Sequence, residues 1–222
     1  MSIQEQDRGS VSGDFVPDIL VMPLADAARI FSAVGMFASD GKETRLSAMA
    51  QIRVESVDGK LGIVATDSYA LGRFVATDWE YTGAPFGLPA ATIVKTLTGY
   101  AKTCKKATRY GDEIMLQIKV TGSGYLATCG GWVTGGDIEG AQFPPYRTLL
   151  VDNTGKNVTP FDYVGFGIPE LVRLGKAAKA FNANAPMVME HYSGAAKPVI
   201  FTQTDSAGVL TVLQMPIRVT VR

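Results

Sequence analysis

The side chains that could do chemistry in this 222-residue chain are few and scattered. His191 is the one histidine, and no serine, cysteine or carboxylate is spaced to pair with it, so a Ser/His/Asp relay cannot be assembled. Cys104 and Cys129 stand apart, without a CxxC unit or nearby histidines. They read as buried thiols rather than zinc ligands or half of a disulfide framework. The clusters Gly122-Ser123-Gly124 and Gly130-Gly131 lack phosphate-loop spacing and read as hairpin turns. Asp67, between Thr66 and Ser68, has no second ligand in step with it, so it is expected to cap a strand end rather than hold a metal. The sequence predicts no enzyme, no metal and no cofactor.

Charge placement is more informative. Lys plus Arg equals Asp plus Glu at 21 each, so any basic surface must come from local segregation. Between Gly87 and Arg109 stand Lys95, Lys102, Lys105, Lys106 and Arg109, with no acidic residue among them. On a helix opened by Pro89, Ile93, Leu97, Tyr100 and Cys104 form an apolar stripe, and Lys95, Lys102 and Lys106 fall roughly opposite it. A later helix from Pro169 to about Asn182 repeats the arrangement more weakly, setting Arg173, Lys176 and Lys179 away from Leu171, Leu174 and Phe181. A first helix, Pro23 to Phe37, offers only Arg29, offset by Asp26. Each basic face taken singly is an ordinary solvated helix surface. Two of them in a neutral protein suggest clustered cations for phosphate contact.

Behind these helices the chain repeats a unit: a strand, a helix opened by proline, then several short strands separated by turn residues. Strands are expected near Leu46–Glu55, Leu61–Thr66 and Leu71–Ala76, with a turn at Asp58-Gly59; then near Ile114–Val120 and Tyr125–Cys129. The last unit has strands near Val158–Phe166, Met187–Glu190, Val199–Gln203 and Val209–Met215. Gly130 to Gly140 and Phe143-Pro144-Pro145-Tyr146 read as a connection. Many strands and few helices give an α+β class with antiparallel sheets. Residues 1–14 are polar and expected to form a mobile tail. No apolar run approaches the roughly 18 residues of a membrane span, and a cytoplasmic protein is expected.

Three segments, in order, resemble the bacterial β sliding clamp, the processivity subunit of DNA polymerase III. Val64-Ala65-Thr66-Asp67-Ser68-Tyr69-Ala70-Leu71 is similar to the family's VATDxHRLA stretch; Gln142-Phe143-Pro144-Pro145-Tyr146-Arg147 to its RFPDYR linker; and Leu213-Gln214-Met215-Pro216-Ile217-Arg218 to its C-terminal VMPMRL. The resemblance implies a clamp fold, with sheets outside and helices lining a bore. It implies two domains: 15–142, similar to the family's middle domain, and 143–222, similar to the second half of its third.

The same resemblance implies a homo-oligomeric ring that encloses duplex DNA without reading sequence, the bore carrying Arg29, Lys95, Lys102, Lys106, Arg173, Lys176 and Lys179. It further implies a hydrophobic pocket for short peptides from a polymerase or clamp loader. Thr66, Ser68, Tyr69 and Leu71 would form one wall, Pro144 and Leu149 the next, Leu213, Met215, Pro216, Ile217 and Arg218 the far side, with Leu46 beside them. Tyr69-Ala70 replaces the usual His-Arg, so peptide preference is expected to differ. Rings of this family contain twelve half-domain modules, and three are visible here, which gives four chains. A shrunken fourth module within 143–165 would give three, the preferred expectation, in a phage-like short clamp. The main competing reading is a clamp-like adaptor or decoy that binds such peptides without enclosing DNA, and a second is an enzyme using the Thr66, Asp67, Tyr69 and His191 region, which would need those groups to converge in an open cleft.

Overall fold

The computed structural model describes residues 19–40, 48–107, 114–138, 142–151, 165–191 and 198–217, the side chains of 105–107, 151, 190 and 191 excepted. In chain order the elements are β1 (Ile19–Pro23), α1 (Leu24–Gly35), β2 (Gln51–Val57), β3 (Lys60–Thr66), β4 (Ala70–Glu80), β5 (Phe86–Pro89) and α2 (Ala90–Ala107). Then follow β6 (Met115–Thr121), β7 (Gly124–Cys129), β8 (Trp132–Asp137), α3 (Arg147–Val151), α4 (Ile168–Asn182), β9 (Val188–His191), β10 (Val199–Thr204) and β11 (Gly208–Gln214). The strands form two antiparallel sheets, one of four in the order β1-β6-β7-β8 and one of seven in the order β5-β2-β3-β4-β11-β10-β9. The class is α+β, as the sequence predicts.

Two-residue turns set the hairpins. Asp58 and Gly59 both have positive φ, 52° and 82°, the geometry whose twist matches the strands it joins. Gly130 and Gly131, at 50° and 85°, do the same between β7 and β8. At the start of α1, Pro23 supplies a fixed φ of −56°, and the first free helical amide, Leu24 N–H, donates to the Ile114 carbonyl at 2.8 Å.

The helices pack on one face of the sheets. Ile52, Val54, Leu61, Ile63, Ala65, Phe74, Leu210 and Val212 alternate along their strands onto that face and meet α1, α2 and α4. Between its neighbours α2 and α4, α1 has an apolar surface far wider than a stripe: Leu24, Ala27, Ala28, Ile30, Phe31, Ala33 and Val34 are all buried. By contrast α2 keeps a polar face in solvent, and the solvent face of α4 is apolar in its first turns, where Leu171, expected on the inward stripe, is exposed with Ile168 and Val172, and basic further on at Lys176 and Lys179. Residues of opposite parity, Val64, Leu71, Ile200 and Leu213, point to the other side of the seven-stranded sheet and form a second, smaller cluster with Phe143 and Tyr146.

Several local expectations change. The segment read as a glycine-rich connection contains β8, paired along its length with β7 from Gly124↔Asp137 to Cys129↔Trp132. Its glycines are explained by close approach: a Cβ on Gly135 would lie 2.7 Å from the Tyr125 carbonyl oxygen. The run Phe86–Pro89 is a short strand on β2 rather than only the approach to a helix, and Arg147–Val151 is a helical turn. The strand expected near Val158–Phe166 falls mostly outside the described residues; at its end Gly165 bridges to Ile217.

Close approach also governs Gly72, where a Cβ would sit 2.2 Å from the Phe37 ring. Gly72→Ala is expected to lower stability by about 1–3 kcal/mol, as overpacked core positions do, read as a drop in urea midpoint at unchanged m-value.

Candidate functional site

The VATDS segment ends β3 and turns into β4 through a hydrogen-bonded loop. Asp67 Oδ1 accepts from the Tyr69 and Ala70 amides at 2.9 and 2.8 Å, and Thr66 Oγ1 donates to the Ala70 carbonyl at 2.8 Å. Ser68 takes φ 78°, a left-handed conformation uncommon for a side-chain-bearing residue and held here by those bonds. The loop thrusts Tyr69 into solvent, 72% exposed. The other Asp67 oxygen takes a short bond from Arg173 Nη1 on α4, and the Arg173 guanidinium lies 5.5 Å over the Phe37 ring.

From that loop β4 pairs with β11 in register, Leu71 opposite Leu213 and Ala70 opposite Gln214. Beyond β11 the pairing continues: Met215 N–H donates to the Tyr69 carbonyl at 3.0 Å, and Ile217 N–H to the Gly165 carbonyl at 2.9 Å. Leu71 and Leu213 are 3% exposed and form a floor with Val64 and Ile200. Around it Tyr69, Leu149 (48%), Met215 (37%) and Ile217 (52%) remain open as an apolar rim, with Ser68 exposed and Pro144 and Pro216 half-buried. The three family-like segments are therefore brought together on the outer face of the sheet. Leu46 and Arg218 lie outside the described residues.

The linker reaches this place by way of a buried charge. Glu55 on β2, 4% exposed, accepts from Tyr146 Oη in a short bond, from Arg53 Nε at 3.0 Å and from Arg147 Nη2 at 3.1 Å. Arg147 also donates to the Ser56 carbonyl at 3.0 Å, and the Arg53 guanidinium lies 5.7 Å over the Phe143 ring. A cavity of about 190 Å³ opens beside these groups, lined by Arg53, Glu55 and residues 143–148. Burial alone would raise the Glu55 carboxyl; the bonds from Tyr146, Arg53 and Arg147 outweigh it and hold the group below the usual carboxylate range. The Tyr146 hydroxyl is pushed up to about 12 by its own burial, then by the Glu55 charge.

The basic residues divide into two groups. Lys95 and Lys102 on α2, and Lys176 and Lys179 on α4, are exposed. Lys106 lies in the last turns of α2, its side chain outside the described set. Arg29 and Arg173 differ, because the chain already neutralises both. Arg29 pairs with Asp26 and Asp205 at 2.7 Å each and donates to the Phe181 carbonyl at 2.9 Å, joining α1 to α4. Arg173 is held by Asp67. Spacing already offered Asp26 to Arg29, but Asp205 and the Phe181 carbonyl, and Asp67 for Arg173, come from distant segments.

Elsewhere, burial and then the neighbouring Cys104 push the Cys129 thiol up to about 11, leaving it protonated at neutral pH. Among the described residues no three His, Cys, Asp or Glu side chains converge as a metal site. No described helix is long and apolar enough to cross a membrane.

No protein-family model and no curated protein sequence matches the chain. Solved structures do. The DNA polymerase sliding clamp from Pseudomonas aeruginosa aligns with a TM-score of 0.64 at 13% identity, over 91% of this chain and 67% of that one. The sliding clamp from Bacillus subtilis gives 0.63 at 14%, over 91% and 64%. The DNA polymerase III subunit beta sliding clamp from Bartonella birtlesii, bound to griselimycin, gives 0.63 at 15%, over 91% and 66%. The chain thus spans about two thirds of the length of the clamps it matches.

Because the Glu55 carboxyl titrates lower in the folded chain than in the unfolded one, its contribution is present above the ordinary carboxylate range, near 4.5, and is lost as pH falls through the folded value. Glu55→Gln is expected to cost about 1.5–3 kcal/mol at pH 7 and to flatten the acid limb of the stability curve, measured by urea unfolding between pH 3 and 7.

Proposed function

We propose that this chain, which has the sliding-clamp fold, is a processivity subunit: a scaffold without catalysis of its own that encircles duplex DNA as a homo-oligomeric ring and tethers replication proteins through short peptides. The observation that carries this reading is the separation of two surfaces. One side of the seven-stranded sheet is covered by helices whose solvent faces present Lys95, Lys102, Lys176 and Lys179; the other holds the apolar rim of Tyr69, Leu149, Met215 and Ile217.

Each surface suits its role. Phosphate contacts from a few lysines are weak and indifferent to sequence, so retention comes from enclosure and sliding stays possible. Arg29 and Arg173 contribute less to that field than the lysines, being neutralised within the chain. The rim supplies exposed apolar side chains over a rigid floor, which suits a peptide with hydrophobic anchors from a polymerase or clamp loader. The two-domain division at about residue 142, a trimeric ring, a cytoplasmic location at replicating DNA and a phage-like origin complete the proposal.

A second reading, a peptide-binding adaptor that does not encircle DNA, is favoured by one observation. The solvent face of α4 begins with Ile168, Leu171 and Val172, all exposed, where α2 presents Ala91, Thr92 and Lys95. That face has no helix beside it among the described residues.

Solution mass separates the two: light scattering at micromolar concentration is expected to give a closed oligomer, and a monomer would favour the adaptor. On DNA, the ring is expected to stay on a nicked circular plasmid and to run off after linearisation. Replacing Lys95 and Lys102 together by Glu is expected to weaken retention and to reduce the slope of log affinity against log salt by about two, without lowering the melting temperature.

A further inference from the structure

An antiparallel sheet with one face in water alternates apolar side chains inward with polar ones outward. The four-stranded sheet departs from that rule. Leu20, Met22, Leu116, Ile118, Tyr125 and Ala127 point into the core, yet on the opposite face Ile19 and Val21 of β1, Met115 of β6, Leu126 of β7 and Val133 of β8 are all exposed. The register gathers them into adjacent rows, Ile19, Lys119, Leu126 and Gly135 beside Val21, Gln117, Thr128 and Val133, with Met115 opposite Pro23 at the end. With strands about 4.8 Å apart and rows about 6.8 Å apart, they make one patch. The outer face of the seven-stranded sheet is covered in part by Phe143 and Tyr146 of the linker, whereas these side chains have no such cover among the described residues.

Lys119 stands within the patch, exposed, and none of the ion pairs among the described residues includes it. A cation among apolar side chains suits an apolar partner that carries an acid, and it disfavours a second copy of the same face, which would bring Lys119 towards its counterpart. The sequence just before β1 has that composition: Asp14-Phe15-Val16-Pro17-Asp18 sets two carboxylates around two large apolar side chains. These residues lie outside the described set and lead directly into Ile19, itself part of the patch on the edge strand. Pro-Asp is turn chemistry, so the chain can reverse at the sheet's edge. From β1 to β8 is three strand spacings, about 14 Å, and the four residues from Phe15 to Ile19 span up to about 13 Å when extended. Phe15 and Val16 therefore reach the middle of the patch.

We propose that Asp14-Phe15-Val16-Pro17-Asp18 folds back across the outer face of the four-stranded sheet in its own chain, Phe15 and Val16 covering Leu126 and its apolar neighbours while a carboxylate of the segment pairs with Lys119. Reach selects this occupant, because the segment is tethered at the patch. Charge selects it over a second copy of the face. The surface is separate from the lysine-bearing helices and from the apolar rim beside Leu71 and Leu213, so the docking holds whether or not the chain closes into a ring. Its effect is to shield an apolar patch that would otherwise be open to association between copies.

The test uses the full chain with a cysteine placed on the face, Gln117→Cys, and reads its rate of reaction with a maleimide; Cys104 and Cys129 are buried and give a low background. Thr128→Cys in the same row is a second probe, and Asp78→Cys, exposed on β4, is the control off the face. Replacing Phe15 and Val16 together by Ser is expected to raise the rate at both probes about tenfold and to leave the control unchanged, as release of a docked segment does. Lys119→Glu is expected to raise it about threefold, while Lys119→Arg, which keeps the charge, does not. Melting temperatures check that each variant folds. Probe rates that are the same with and without the Ser replacements overturn the docking, as does a rate unmoved by Lys119→Glu. Protection that fades on dilution places the occupant on another copy and overturns it too.

Discussion

The antiparallel seam between β4 and β11 is the interaction on which the rest of this structure depends. Residues 70–76 pair in unbroken register with 208–214, tying the strand that leaves the VATDS loop to the last of the described strands. Without that seam the sheet would be two separate pieces. Leu71 and Leu213 would not share a row, Arg29 on α1 would not reach Asp205, and α4 would lose its seat beside α1. The seam has a core on both sides: Phe74, Leu210 and Val212 face the helices, while Leu71 and Leu213 face the linker. A strand pair buried on both faces reads in sequence as nearly continuous hydrophobicity, as Gly208–Gln214 does.

Two ionic links adjust what the seam brings near. Glu55 fixes the linker from one direction, and the Arg173–Asp67 pair fixes the VATDS loop from the other. Both carboxylates accept several donors, which is what makes a desolvated charge tolerable. The second pair crosses the sheet's end and joins α4, whose outer face carries Lys176 and Lys179, to the loop that presents Tyr69. The lysine-bearing face and the apolar rim are therefore mechanically connected through one arginine, although they lie on opposite sides of the sheet.

Much of this was legible in the sequence, and for definite reasons. Of the predicted stripes, Ile93, Leu97, Cys104, Leu174 and Phe181 are buried where helical periodicity puts them, whereas Tyr100 is part-buried and Leu171 is exposed near the open start of α4; the Asp58-Gly59 turn follows from dipeptide chemistry alone. What escaped depended on tertiary contact. β8 has two glycines and no alternation of burial, so nothing local marks it; its pairing with β7 makes it a strand. The bonds of Arg29 to Asp205, of Arg173 to Asp67 and of Tyr146 and Arg147 to Glu55 join residues too far apart in sequence for any spacing rule.

The seam also sets an order of events during synthesis. Everything that β1 through β8 need for pairing is present once residue 137 has emerged, except the partner for one edge of β4, which waits for residues 208–214. At ordinary translation rates that interval is on the order of ten seconds. A nascent chain in that window presents an unpaired strand edge flanked by Leu71 and Phe74, a template for strand exchange with another copy. The bulge-free register and the double-sided burial that secure the finished protein are thus what leave its half-made form most exposed.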